Sequence, residues 1–412
     1  MNVPFARPLR HAQFRRLWFG QAVSSIGDGI FNVAMIGAVL THHRSSGLGF
    51  VLAAESAGMV LLSLLGGAIA DRMRRGRAMA LSDGVRMLAV LGFGLGAAGG
   101  PLPVVLVLAA LMGAGTAVFQ PAFGALIPSL VPDEDLAGAN ALRTTTTKIA
   151  SIIGPGIGGL LLVTLDVDTV FLVDLGTFLV SILTLVGLRD PVPERGDPES
   201  VFRSARAGLT AVRQRLWVTT IILQGTAQLL LVMGPAVVLL PILLKERGEF
   251  GAYGVLMGLE AVGSVLGGLA ASAWKPKRAG VVAVCALSLL GLQLLALLLG
   301  LPVYVLGATV LATGFGYAVF GVLWISSLQR SFSDELLGRV LSVEMLGTFA
   351  LAPVGLAVTP FAIEVLGTNA VLVIAIVLLA ASTVVPLFQR DVRDFATSER
   401  VASGSGGSVR HG

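Results

Sequence analysis

Carboxylates, amides and aromatic rings that recur at regular spacing inside apolar runs are the residues of this sequence best placed to do chemistry. An ionisable group at the centre of a bilayer costs at least about 2.5 kcal/mol, so each one needs a reason to be there. Asp28 lies about 11 residues into the first apolar run, roughly 16 Å along a helix and close to the midplane. Gln21, Ser25, Asp28 and Asn32 follow helical spacing and form one polar stripe, which predicts a water-filled cavity on that side rather than lipid. Asp28 or Glu55, held in such a place, could alternately take up a proton and a bound molecule; a buried structural hydrogen bond is the plainer role for either.

The same pattern returns 201 positions later, where Thr220, Gln224 and Gln228 share a spacing and Gln228 falls within one residue of the position equivalent to Asp28. Glu55 and Glu260 are near-equivalent, one helical turn apart in register, and Asp174 heads a weaker stripe with Thr177 and Ser181. Thr116, Phe119 and Phe123 correspond by the same offset to Tyr317, Phe320 and Trp324. Aromatic faces of this kind can hold flat or lipophilic molecules, although ordinary helix packing explains them equally well. Asp83 and Arg86, three apart, can pair on one face of the third run near its inner end, where they are expected to brace a gate rather than touch a substrate. Gly154, Gly158 and Gly159 clear one face of the fifth run for another helix backbone, and Pro155 permits a bend.

The elements that must position these groups are membrane helices. With 55% hydrophobic residues, 13% charged and a mean hydropathy of +0.87, the 412-residue chain carries more apolar surface than a soluble core could hide. Runs of about 20 apolar residues start near residues 16, 47, 78, 102, 141, 169, 217, 252, 280, 303, 340 and 370, which predicts twelve spans. The first is too long for the apolar core of a signal peptide and no small-residue cleavage site follows it, so it is expected to be retained. The runs are also too long and too evenly apolar for barrel strands. With the amino terminus placed inside, all but three of the 29 basic residues (Arg44, Lys245 and Arg247) fall on cytoplasmic segments, which predicts a multi-pass protein with both termini in the cytoplasm. The net charge of +5 is then a topology signal and does not imply nucleic-acid binding.

Several chemistries are excluded. The four histidines lie in tails or the first outer loop, so no histidine-based metal site is expected within the membrane. Gly94, Gly96 and Gly99 spell GxGxxG inside a membrane helix with no preceding strand, and no GxxxxGK[ST] loop occurs, so neither a dinucleotide cofactor nor an ATP module is expected. No HExxH and no nucleophile with its base is present in the membrane, which argues against an enzyme. The single cysteine, Cys285, is expected to be a small packed hydrophobe.

Residues 66–79, GGAIADRMRRGRAM, are echoed at 267–280 by GGLAASAWKPKRAG, and VPDEDLAG at 131–138 by FSDELLG at 332–338. The chain is therefore expected to hold an amino-terminal six-helix half (1–188), a cytoplasmic linker (189–216) whose second part could form a short amphipathic helix, a carboxy-terminal six-helix half (217–390) and a disordered tail (391–412).

With Gly67 four positions before Asp71 and Arg72, and with Gly154, Pro155, Gly158 and Gly159 matching GPxxGG, the sequence resembles the major facilitator superfamily over nearly its whole length. FQPAFGALIPSLVP at 119–132, ANALR at 139–143 and SDGVRML at 82–88 are similar to its branch of macrolide and enterobactin exporters. The resemblance implies an all-α fold of two pseudo-symmetric halves in a bacterial cytoplasmic membrane, monomeric, with no cofactor. It also implies that Asp71 and Arg72, in a hairpin that includes Arg77, lock the cytoplasmic side, and that the fifth-run glycines help control leakage. Two departures stand out: Arg74 takes the place of a glycine in the hairpin, and the fourth run lacks the arginine often found in proton-coupled relatives. The expected function is secondary active efflux of a small amphipathic molecule (antibiotic, siderophore or specialised metabolite) by antiport with protons, as in multidrug resistance. A metabolite importer and a non-transporting membrane sensor or scaffold are the alternatives.

Overall fold

The computed structural model describes the backbone of residues 4–188, 201–274 and 276–395, without the side chains of 4–6, 64–72, 201–205 and 334–335. The surroundings of Gly67, the side chains of Asp71 and Arg72, residues 189–200 of the linker and the tail beyond residue 395 therefore lie outside the described residues. Among the described residues every regular element is helical. Eleven stretches are long and apolar enough to cross a membrane. A twelfth helix of 20 residues, Arg75–Gly94, falls short of that apolarity because Arg75, Arg77, Asp83 and Arg86 interrupt it.

The residues group by contact into two compact units. Unit 1 (1–197, 233–261 and 352–371) contains α1 (Ala12–His42), α2 (Ser45–Arg72), α3 (Arg75–Gly94), α4 (Leu102–Leu126), α5 (Asp133–Thr164) and α6 (Val167–Leu185). Helix α1 packs against α5 and α6, α2 against α4, and α3 against α4 and α6. Local sequence sets the helix ends. The α2–α3 hairpin turns within two residues, Gly96 takes a left-handed φ of 85° where α3 stops, and Pro101 precedes α4. Three acids in the first turn of α5 complement the positive end of its dipole, and Asp166 caps α6 by accepting from the Thr169 backbone N–H at 2.9 Å. Phe31, Phe93 and Phe171 meet with ring centroids 5.1 to 5.7 Å apart and fill the space between α1, α3 and α6.

Unit 2 (198–232, 262–351 and 372–412) opens with α7 (Val201–Gln214), an amphipathic helix where the second part of the linker was expected to form one. Helix α8 (Leu216–Gln228) runs through a single π turn, Leu229–Met233, into α9 (Gly234–Glu246). The chain continues as α10 (Tyr253–Ala273), α11 (Ala279–Leu287), α12 (Leu290–Leu298), α13 (Val303–Ser331), α14 (Asp334–Phe349), α15 (Ala352–Leu366), α16 (Thr368–Val384) and α17 (Arg390–Asp394). Helices α9 and α15 and the start of α10 belong to unit 1, so the compact units and the 201-residue repeat divide the chain differently. Trp217, Trp324 and Phe395 anchor the core of unit 2, with centroids 5.5 to 5.8 Å apart.

Two expectations need correction. Cys285 is exposed on α11 instead of packed, because Ala283, Val284 and Leu287 occupy the buried face of that helix. Trp324 is only 3% exposed, and its ring is taken up by Trp217, Phe320 and Phe395, so it cannot present an aromatic face to a bound molecule.

Candidate functional site

A cavity of about 340 Å³ opens within unit 1, and the polar stripe of α1 forms one wall of it. Gln21, Ser25, Asp28 and Asn32 all line it, as their spacing on one helical face requires. Phe119 and Phe123 of α4 supply an aromatic wall, Pro155 of α5 borders it, and Tyr253 and Met257 of α10 complete it. Glu55, half-buried on α2, and Glu260, half-buried on α10, are not among its lining residues.

The charge in this cavity comes from a pairing between helices that are not neighbours in sequence. Arg86 Nη1 of α3 donates to Asp28 at 3.1 and 3.4 Å, and Nη2 pairs with Asp83 on the same helix. Asp83 also accepts from the Ser181 hydroxyl of α6 at 2.6 Å, and Ser181 accepts from the Gln21 amide at 2.9 Å. The Arg86 side chain is 2% exposed and that of Asp83 is 0%, whereas Asp28 is 40% exposed and looks into the cavity. The guanidinium lies 4.7 Å from the ring centroids of both Phe119 and Phe178. Arg86 therefore lines the cavity and contacts its acid, which corrects the expectation that it only braces a gate.

Sequence logic for this placement can be found in α4. That helix carries no arginine, but its Gly115 leaves room for one: a Cβ there would lie 2.5 Å from Arg86 Cγ. Spacing alone places Arg86 near the inner end of its run, whereas counting from the start of α3 puts it 11 residues in, roughly 16 Å along the helix. Its partner could not be read the same way, because which way α3 faces is set by packing. Tyr253 was missed for a similar reason, since it lies at the first turn of α10, where a tyrosine ordinarily reads as an interfacial anchor.

The glycine–proline motif inside α5 makes the backbone contacts that hold this wall. Cβ atoms at Gly154 and Gly158 would sit 2.8 and 3.0 Å from the α1 backbone at Ile26 and Ile30, and one at Gly159 would lie 3.5 Å from the Gly251 and Gly254 backbone. Pro155 packs directly over Gly29, next to Asp28. Of the remaining expected gate residues, Arg77 is exposed on α3.

Unit 2 has a different cavity, of about 380 Å³, between α8 and α16. Thr220, Gln224 and Gln228 line it among leucines, valines and alanines, and no ionisable side chain borders it. Gln228 donates to Ser382 at 2.9 Å, while the amide of Gln224, 4% exposed, has no hydrogen-bond partner among the described residues. Phe320 stacks on Trp324, and neither it nor half-buried Tyr317 lines this space.

Residues 17–352 match the family model described as Major Facilitator Superfamily. The chain is 30% identical over 392 residues to the enterobactin exporter EntS of Shigella boydii serotype 18, covering 90% of this chain and 91% of the relative. The same exporter of Escherichia coli O1:K1 is 29% identical over the same shares. Among solved structures, the fold resembles a bacterial homologue of the iron transporter ferroportin in an inward-facing state (TM-score 0.73, 17% identity, 92% of this chain and 98% of that one). It also resembles a D-xylose-proton symporter (TM-score 0.65, 14% identity, 95% and 98%). At such identities the structures speak for the fold alone. The chain is an all-α, multi-pass membrane transporter, not an enzyme, and it belongs to the major facilitator superfamily.

Proposed function

We propose that this protein is a secondary active exporter of a small amphipathic molecule, such as a siderophore, antibiotic or other specialised metabolite, driven by antiport with protons across a bacterial cytoplasmic membrane. The Asp28–Arg86 pair on the cavity wall carries this reading. A carboxylate that is partly open to the cavity and bonded to a buried guanidinium can exist in two states. Ionised, it is held by Arg86; once protonated, it no longer competes for that cation and can instead donate to a bound ligand. Loading a proton and loading a molecule thus draw on the same oxygen atoms. Phe119, Phe123 and Tyr253 supply apolar and aromatic surface for the ligand, and Gln21, Ser25 and Asn32 supply neutral hydrogen-bonding groups. The sequence relatives named as enterobactin exporters support the outward direction.

The α5 backbone contacts, the hairpin of Asp71, Arg72 and Arg77, and the pair Asp83–Arg86 then serve the change between open states, with both termini on the cytoplasmic side and the monomer as the working unit. Accumulation of a panel of amphipathic compounds, including catecholate siderophores, in an efflux-deficient host tests the reading. Expression should lower accumulation of at least one compound, and an uncoupler should restore it. Raised accumulation would point to import, and export indifferent to the uncoupler would remove the proton.

A further inference from the structure

Between α1, α3 and α6 the charged cluster of unit 1 contains one cation and three acids, and Glu55 of α2 faces Asp28 from outside that space. Arg86 is the only guanidinium in contact with it among the described residues, whereas Asp28, Asp83 and Asp174 all converge on the space between α1, α3 and α6. Asp83 is satisfied by Arg86 and Ser181, and Asp28 by Arg86 and the open cavity. Asp174 has neither. Its side chain is 0% exposed, Oδ1 accepts from the Thr177 hydroxyl at 2.9 Å, and among the described residues Oδ2 has no hydrogen-bond partner. It packs against the α1 backbone at Gly27, where a Cβ would collide with both Asp174 and Thr177, so it lies one residue from Asp28 along the chain it touches.

A carboxylate held by a single hydroxyl in hydrocarbon-depth packing is a poor anion. The charged groups that face it are Asp28 from α1 and Asp83 and Arg86 from α3, and the one positive charge among them is already engaged by both other acids. We propose that Asp174 is a second proton-binding site, linked to Asp28: it holds a proton on Oδ2 while Asp28 is ionised, and releases it when Asp28 becomes neutral. The linkage is electrostatic. When Asp28 gains a proton its negative charge disappears, Arg86 is left less fully balanced, and the anionic form of Asp174 becomes easier to hold. One O–H bond forms at Asp28, one breaks at Asp174, and the released proton leaves to water. The use of this exchange in transport rests on the proton-coupled reading above; the binding site itself does not.

Infrared spectroscopy of the purified full chain in lipid tests the site without substrate or flux. Subtracting the Asp174→Asn spectrum from wild type should reveal one carbonyl band of a protonated carboxylic acid near neutral pH. Thr177→Val, which keeps Asp174 and removes the donor to Oδ1, should move that band to higher frequency, so the assignment survives if Asp174→Asn folds poorly. In Asp28→Asn the band should disappear at a pH lower than in wild type by about one unit or more. A missing band, a band that never titrates, or one with the same midpoint in both proteins would overturn the proposal. Uncoupler-insensitive export alongside the expected bands would instead overturn only the proton-driven reading.

Discussion

The cavities of units 1 and 2 share one pair of helices related by the 201-residue repeat, α1 and α8, yet only one cavity contains charge. In unit 1, Asp28, Asp83 and Arg86 meet across two helices. At the positions 201 residues on stand Leu229, Val284 and Leu287, and Asp174 becomes Ala375. Other features do carry over. Ser181 corresponds to Ser382, and each accepts a hydrogen bond from a glutamine, Gln21 in one unit and Gln228 in the other. The repeat supplies helices, walls and a neutral polar contact in both places. Ionisable groups, which are costly at membrane depth, line the cavity of unit 1 and not that of unit 2, whose Glu344 is taken up instead by the Trp324 indole.

The comparison breaks most sharply at Arg86. Arg86→Leu leaves two acids without their cation, and removing one partner of a buried pair costs about 3 to 5 kcal/mol. Its thermal unfolding temperature in detergent should drop steeply, and an unchanged transition would show that the network contributes nothing to unit 1. Gly158→Leu should come next, because the side chain has to displace the α1 backbone at a cost of about 1 to 3 kcal/mol, read from the same transition.

Asp28→Asn should preserve the fold while reducing pH-driven flux in proteoliposomes at least about tenfold, equivalent to about 1.4 kcal/mol. Retained pH-driven flux would remove Asp28 as the coupling group. The contrast with unit 2 is sharpened by Gln224→Leu: since that amide has no partner, its replacement should leave stability unchanged or raise it by about 1 kcal/mol. A large loss there would mean that unit 2 also depends on its polar stripe.

The smallest effect is expected at Asp166, outside the spans, where the Thr169 backbone and side chain hold the carboxyl below its ordinary value. A lowered folded value adds stability above the unfolded value and loses it as pH falls through the folded one. The acid-side loss of stability should therefore be shallower in Asp166→Asn than in wild type when unfolding is followed as a function of pH.

Much of unit 1 could be read along the chain. Apolar runs of bilayer length give the spans, and the i, i+4, i+7, i+11 recurrence of Gln21, Ser25, Asp28 and Asn32 gives a face that the structure places on a cavity. Gly154 and Gly158 read as close-approach positions because only a missing side chain admits another backbone. Trp324 misled, since its spacing matches Phe123 but Trp217 and Phe395 reach it from distant parts of the chain. Glu55 and Glu260 likewise share a depth with the cavity without bordering it, because depth follows from sequence and facing direction does not.

Periodicity, composition and the repeat thus determine that the chain spans a membrane as two related sets of helices, and which face of α1 is polar, because these are properties of single helices and their solvent. Only the tertiary structure decides that Asp28 meets an arginine, and that the arginine comes from α3 through the gap left by Gly115 on α4. That pairing depends on the rotation of each helix about its axis, which is fixed by contacts such as Asp83–Ser181 and Gln21–Ser181, 98 and 160 positions apart, and by no local rule.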